Sequence, residues 1–362
     1  MPGFLTASLA PRIRADFAFG DSTLGLAVGL FYVVSASLSV PAGRLVDRVG
    51  AERGMQLSAG LVAACCLAVA ALAQSAASLT ALLLVGGVAN ALGGPSVSAL
   101  LKREVADHSQ GLAFGAQQAG APMGALLAGL ALPALAIPFG WQWAFVAAAA
   151  LALLAVALAP GAAATAGAPS PAGSRPRGFS SVHALGGAAV LASAAGVGFV
   201  SFLVTYAVDS GMSEVAAGLL LAGVSVAATI SRIAVGVFAD RGRQEPLRPV
   251  AAMLAASVAG YLLLTADEPG LIVAAALLAG GLGWAWPGGL TLAVVQRNPQ
   301  APGWAVGVMM TGLFVGAVTG PLLIGFLAEH DLFAAAWITC AGLALMAAVT
   351  IVATLRHEAQ GP

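Results

Sequence analysis

GMQLSAGLVAACCLAVAALAQSAASLTALLLVGGVANALGGPSVSALL, residues 54–101, contains no Asp, Glu, Lys or Arg. A bilayer span takes about 20 apolar residues, so this stretch holds two helices, expected at 54–74 and 78–100. The same silence recurs from Ser109 to Ser174. Over the whole chain 60% of residues are hydrophobic and 8% charged, and the mean hydropathy is +0.95. A water-soluble surface needs a far larger charged share, so the chain reads as an all-α integral membrane protein.

Charge interruptions and turn residues place the other spans at 22–42, 111–137, 141–159, 181–208, 213–238, 247–266, 270–296, 303–328 and 332–355, which with the first two makes eleven. Asp21-Ser22 and Ser213-Glu214 read as helix starts. Residues 161–178, rich in Ala, Gly, Pro and Ser, read as a flexible linker. Domains are therefore expected at 1–160 and 179–356. Met1 to Ala10 is apolar but about half a span long, and Arg12 and Arg14 follow it. It reads as the end of a first helix truncated at its N-terminus, or as a short surface-lying helix. Of the 15 Lys and Arg, all but Arg12 and Arg14 fall on one side of the zigzag. By the positive-inside bias that side, with the linker and the C-terminus, is cytoplasmic.

The halves echo one another. Gly43-Arg44-Leu45-Val46-Asp47-Arg48 recurs as Gly236-Val237-Phe238-Ala239-Asp240-Arg241, and Gly111, Gly115, Gly120 and Gly124 recur as Gly303, Gly307, Gly312 and Gly316. Two similar bundles in one chain fit a secondary transporter with a central path. The segment from Gly43 to Gly50, continuing to Arg53, resembles the loop signature between helices two and three of the major facilitator superfamily, and Asp240-Arg241-Gly242-Arg243 resembles its second-half copy. The resemblance covers essentially the whole chain. It implies twelve helices in two six-helix bundles related by a pseudo-two-fold axis, with residues from 22 onward forming helices two to twelve.

That resemblance and the residue chemistry together nominate a cytoplasmic gate: Gly43, Asp47, Arg48, Arg53, Gly236, Asp240, Arg241 and Arg232. A carboxylate at a helix end can hold a helix N-terminal dipole and a basic partner, then release them when the halves rock. Arg232 is expected to snorkel to the interface or to pair with Asp240 two turns on. Gly111, Gly120, Gly124 and Pro122, departing from the family's fifth-helix antiporter motif at Ala125, and Gly316, Gly320 and Pro321 are nominated for tight helix packing and bending. Polar or soft residues inside spans nominate a substrate cavity: Asn90, Gln117, Gln118, Met309, Met310 and Trp284, with Trp286 two positions on and directed elsewhere. Trp141, Trp143, Tyr206 and Trp304 read as interface anchors.

No cluster of His, Asp, Glu or Ser converges within the spans, so an enzyme is not expected. No cofactor or metal site is expected either; Cys65, Cys66 and Cys340 read as small buried apolar groups. Nucleic acid is excluded as a partner by the thinly spread basic residues. The expected partners are a small-molecule substrate, the lipid bilayer and, for a coupled mechanism, protons, with the chain acting as a monomer in a bacterial inner membrane. Proton-coupled antiport or efflux, uniport or symport for uptake, and a non-transporting receptor or scaffold with a transporter-like body are the competing readings. Little in the spans would balance a multiply charged substrate, which favours a small neutral or weakly amphipathic one.

Overall fold

In a computed structural model, which describes residues 2–17, 21–158, 179–242, 245–266 and 268–359, every described regular element is a helix. The linker 161–178, Arg243 and Asp267 lie outside the described residues. The helices are α1 (Pro2–Ser8), α2 (Ala10–Phe17), α3 (Asp21–Val49), α4 (Ala51–Leu72), α5 (Ala76–Glu104), α6 (Gln110–Ala131), the single turn α7 (Ile137–Phe139), α8 (Trp141–Leu158), α9 (Phe179–Asp209), α10 (Glu214–Gly242), α11 (Leu247–Leu264), α12 (Pro269–Gly283), α13 (Pro287–Arg297), α14 (Pro302–Ala328) and α15 (Phe333–Ala359). Ala216 N–H donates to Ser213 Oγ at 3.3 Å, the expected N-cap of α10.

Where eleven spans are expected, nine helical stretches among the described residues are long and apolar enough to cross a membrane. Two of the expected spans are not among these nine. α8 is described over Trp141–Leu158, its expected end at 159 lying outside the described residues, and α6 passes at Leu132–Ala136 into a π-helical turn. The span expected at 270–296 is interrupted: α12 ends at Gly283 and α13 restarts at Pro287. Proline lacks the N–H that would continue the helix but fits a first helical position, so the chain breaks across Trp284–Trp286.

The signature read as a loop is helical. α3 runs through Gly43–Arg48 to Val49, and α4 begins at Ala51. The whole turn is Gly50, at φ 93°, a conformation open to glycine at little cost. Its N–H donates to Val46 O at 2.9 Å while its carbonyl already accepts Gly54 N–H at 3.0 Å. The second copy is likewise the end of α10.

The chain divides into two compact units. The first is drawn from Met1–Leu100, Gly120–Ser174 and Gln300–Gly307. Its core joins Leu5, Leu9 and Ile13 to Ala63, Cys66, Val69, Leu79, Leu83 and Phe145. Leu5, Leu9 and Ile13 recur at i, i+4 and i+8, one helix face, and are at most 1% exposed; the N-terminal segment is a core element, not a surface-lying one. The second unit is drawn from Leu101–Ala119, Arg175–Pro299 and Val308–Pro362. There α9, α11, α12 and α15 pack together around Phe199, Tyr261 and Trp337, whose rings meet edge to face.

Candidate functional site

Asp47 lies in the last turn of α3. Its Oδ1 accepts the Gly303 N–H and its Oδ2 the Trp304 N–H, both at 2.8 Å. Those are first-turn amides of α14, which have no intrahelical acceptor, so the carboxylate closes a helix N-terminus and meets the positive end of its dipole. Asp240, near the end of α10, does the same for α6. Its Oδ1 accepts the Gly111 N–H at 2.6 Å and its Oδ2 the Leu112 N–H at 2.8 Å. The two repeated sequence elements thus build two copies of one clasp.

Glycine makes each clasp reachable. A Cβ on Gly43 would overlap the Gly303 carbonyl, and one on Gly236 would overlap that of Gly111. One turn further along, a Cβ on Gly307 would stand 2.5 Å from Ser39 O, and one on Gly115 2.8 Å from Arg232 O. Each pair of helices therefore runs backbone against backbone for a turn, which only residues without a side chain allow.

The other nominated gate residues are placed differently. Arg48, Arg53 and Arg241 are exposed and form no ion pair among the described residues. Arg232 neither snorkels nor reaches Asp240. It is 3% exposed, and its Nε and Nη2 donate to Trp284 O at 3.2 and 2.8 Å while Nη1 donates to Gln118 O at 2.8 Å. The guanidinium lies 5.1 Å from the Trp284 ring centroid. The break between α12 and α13 leaves carbonyls at the end of α12 without helical donors, and their dipoles favour a cation there. That accounts for a buried arginine without a carboxylate. The buried carboxylate of Glu52, 7% exposed at the start of α4, escaped the sequence reading because its Arg-flanked position suggests a solvated turn.

Of the nominated cavity residues, Gln118 joins Arg232, as its Nε2 donates to Thr291 Oγ1 at 3.1 Å. Thr291 in turn meets Met309 Sδ at 3.4 Å, and Trp284 completes this polar cluster. Thr291 went unnoticed because one hydroxyl in an apolar run carries no pattern. Met310 is buried at 7% exposure. Asn90 stands apart in α5, its Nδ2 donating to Ser35 Oγ at 3.2 Å, and Gln117 is half-buried on α6. Helical spacing does not relate Trp284 to Trp286, because the helix is broken between them. Trp286 is buried, and its Nε1 has no acceptor among the described residues.

The packing glycines divide as well. Gly316 and Gly320 press on the α9 backbone at Val190–Ala194, whereas a Cβ on Gly120 would meet nothing within 4 Å. Gly124 is half-buried, and Pro122 and Pro321 lie inside α6 and α14. Three expected anchors are buried: Trp141, whose Nε1 donates to Asp16 Oδ2 at 2.7 Å, Tyr206, whose hydroxyl donates to Leu264 O at 2.6 Å, and Trp304. Trp143 alone of the four is exposed. Among the described residues no group of three His, Cys, Asp or Glu is placed to hold a metal ion.

Comparison with known proteins agrees with this architecture. The structure of the human organic anion transporter MFSD10 (TETRAN) superposes with a TM-score of 0.74 at 18% identity, over 97% of this chain and 93% of that one. The fucose:proton symporter FucP of E. coli gives 0.73 at 16% identity, over 98% and 96%. An uncharacterized MFS-type transporter of Mycobacterium tuberculosis is 28% identical over 332 residues, 86% of this chain and 72% of that protein. The sequence profile of the Major Facilitator Superfamily matches residues 1–301 and, in a second overlapping match, 190–362. The chain belongs to the Major Facilitator Superfamily, as a membrane transport protein and not an enzyme.

Proposed function

We propose that the chain moves a small solute across a bacterial inner membrane by alternating access, as a monomer built of an N-terminal bundle at 1–160 and a C-terminal bundle at 179–356. In the twelve-helix plan the family implies, these would be six-helix bundles related by a pseudo-two-fold axis. The observation that carries this reading is the duplicated clasp. Asp47 belongs to the first sequence half and holds a helix start of the second; Asp240 belongs to the second and holds a helix start of the first. Rocking the halves apart on the cytoplasmic side would break both clasps together, and the backbone-to-backbone glycine contacts would let them reform without side-chain rearrangement. Arg48, Arg53 and Arg241, exposed beside the clasps, would set topology and meet lipid headgroups at that interface. The cluster of Gln118, Arg232, Trp284, Thr291 and Met309, extended by Gln117 and Met310, would line the solute path, and Asn90, apart from it on α5, would offer the solute a separate amide.

Proton coupling fits the same geometry. Protonation of Asp47 or Asp240 removes the charge from its bonds to backbone N–H groups, and such bonds contribute about 1.5–3 kcal/mol each; a clasp weakened in this way opens more readily. The likeness to structures of an organic anion transporter and a fucose:proton symporter is compatible with antiport or symport, and uniport needs no titrating clasp.

The test is uptake and efflux of a metabolite and drug mixture in proteoliposomes, read by mass spectrometry with and without an imposed pH gradient, for the parent chain and for Asp47→Asn and Asp240→Asn. Movement that needs the gradient and is uncoupled in the variants supports proton coupling through the clasps. Movement indifferent to the gradient supports uniport. No movement by a folded parent chain overturns transport in favour of a receptor or scaffold.

A further inference from the structure

We propose that the groove between α11 and α15 is a binding site for one anionic phospholipid, of the phosphatidylglycerol type. The groove encloses about 810 Å³ and opens to the outside of the second unit. Its walls are apolar, with Ala252 and Ala255 from α11 facing Leu345 and Val349 from α15, and its end is marked by Arg248 and Arg356. Ala252, Ala255, Leu345 and Val349 are all exposed among the described residues. Alanine on both helices leaves a channel where larger side chains would close the surface.

The dimensions match one leaflet. Arg248 is the second residue of α11 and Arg356 lies in the last turn of α15, so both guanidiniums stand at the same end. From Arg356 to Leu345 along α15 is roughly 16 Å at 1.5 Å per residue, against about 15 Å for half of a 30 Å hydrocarbon core. A lipid with its phosphate at the arginines would lay an acyl chain along the alanines to the bilayer centre.

The charge pattern selects the headgroup. Two carboxylates lie close by in sequence, Glu245 before α11 and Glu358 at the end of α15, and both are taken by Arg297. Its Nη2 bonds Glu245 Oε1 at 2.8 Å and Glu358 Oε2 at 3.0 Å. Arg248 and Arg356 are exposed and form no ion pair among the described residues. Two unneutralised guanidiniums over an apolar channel fit a phosphodiester with no cationic group of its own, since a choline headgroup would bring a third positive charge to the pair. Arginine forks also bond phosphate oxygens bidentately. The site stands whether or not the chain moves a solute.

The test uses the full chain, purified in detergent and offered dioleoylphosphatidylglycerol or dioleoylphosphatidylcholine, with retained lipid counted by native mass spectrometry. The parent chain is expected to hold the glycerol lipid roughly thirtyfold more tightly, as two surface arginines imply. Arg248→Gln with Arg356→Gln should erase that preference while leaving the lipid-free melting temperature unchanged. Ala252→Phe should fill the channel and lower retention of both lipids; the double arginine variant decides the matter if this one does not fold. An unchanged preference in the double arginine variant overturns the site. So does an equal loss from Arg12→Gln, which would make the effect one of overall charge, or displacement by glycerol 1-phosphate at the concentration of the lipid, which would make it a phosphate site only.

Discussion

Asp240 holds two backbone amides with one carboxylate, and its removal separates charge from geometry. Asp240→Asn keeps an oxygen for one of the two N–H groups and loses the charge, while Asp240→Ala loses both bonds. The alanine variant is expected to lose about 3–7 kcal/mol and the asparagine about half of that, because each of the two bonds to a charged acceptor is worth roughly 1.5–3 kcal/mol and the helix dipole adds up to about 1. Amide hydrogen exchange at Gly111 and Leu112 reads this locally, and unchanged exchange in the alanine variant would contradict the clasp. Two glycines give a matched contrast. Gly43→Ala drives a methyl into the Gly303 backbone and is expected to destabilise by about 1–3 kcal/mol. Gly120→Ala meets open space and is expected to stabilise α6 by roughly 0.5–1 kcal/mol. Thermal unfolding in detergent ranks them, and equal shifts would contradict the packing described.

At the scale of elements, the break between α12 and α13 depends on a residue far from it in sequence. Arg232 gathers Trp284 O and Gln118 O, and so ties α10, the end of α12 and α6 at one point. Arg232→Lys retains the charge but not the planar fork, so it is expected to hold one carbonyl and release the other. Arg232→Met releases both. Tryptophan emission should shift to the red in the order parent, lysine, methionine as Trp284 loses its cation and the break loosens; identical spectra would show that the break stands without its arginine. The sequence foretold the elements better than their joints. Hydropathy exposed the helices because a bilayer tolerates no other open backbone pattern. The repeat paired Asp47 with Asp240, yet which helix start each carboxylate closes is a tertiary fact carried by no local signal. The interruption at Trp284–Trp286 was not foreseen within the span expected at 270–296, although Pro287 opens the second piece, and nothing near Arg232 in sequence named Trp284 O as its partner. The Gly43–Arg48 motif was misread as a loop because charge in a membrane protein suggests solvent, whereas a helix can project its charged end past the bilayer.

For the molecule as a whole, the three free thiols provide a native gauge. Cys65 and Cys66 lie in the core of the first unit and Cys340 in that of the second, each at most 1% exposed. Labelling by a thiol-reactive dye should be slow at ambient temperature and rise with unfolding, and mass spectrometry can assign the label to a unit. Gly43→Ala should bring Cys65 and Cys66 forward to lower temperature; rapid labelling of the folded parent chain would contradict the buried placement.

Two long helices, α3 and α4, meet at one residue. Gly50 completes the ladder of the first and opens that of the second, leaving no residue free to flex between them. The pair is therefore a lever with its pivot beside the load: whatever frees Asp47 at the tip of α3 must swing the start of α4, and buried Glu52 with it. Lengthening the joint by two glycines would leave both helices intact and let each move on its own. Motion at the clasp would then no longer carry to α4, and a transporter with both clasps intact would lose its stroke for want of stiffness.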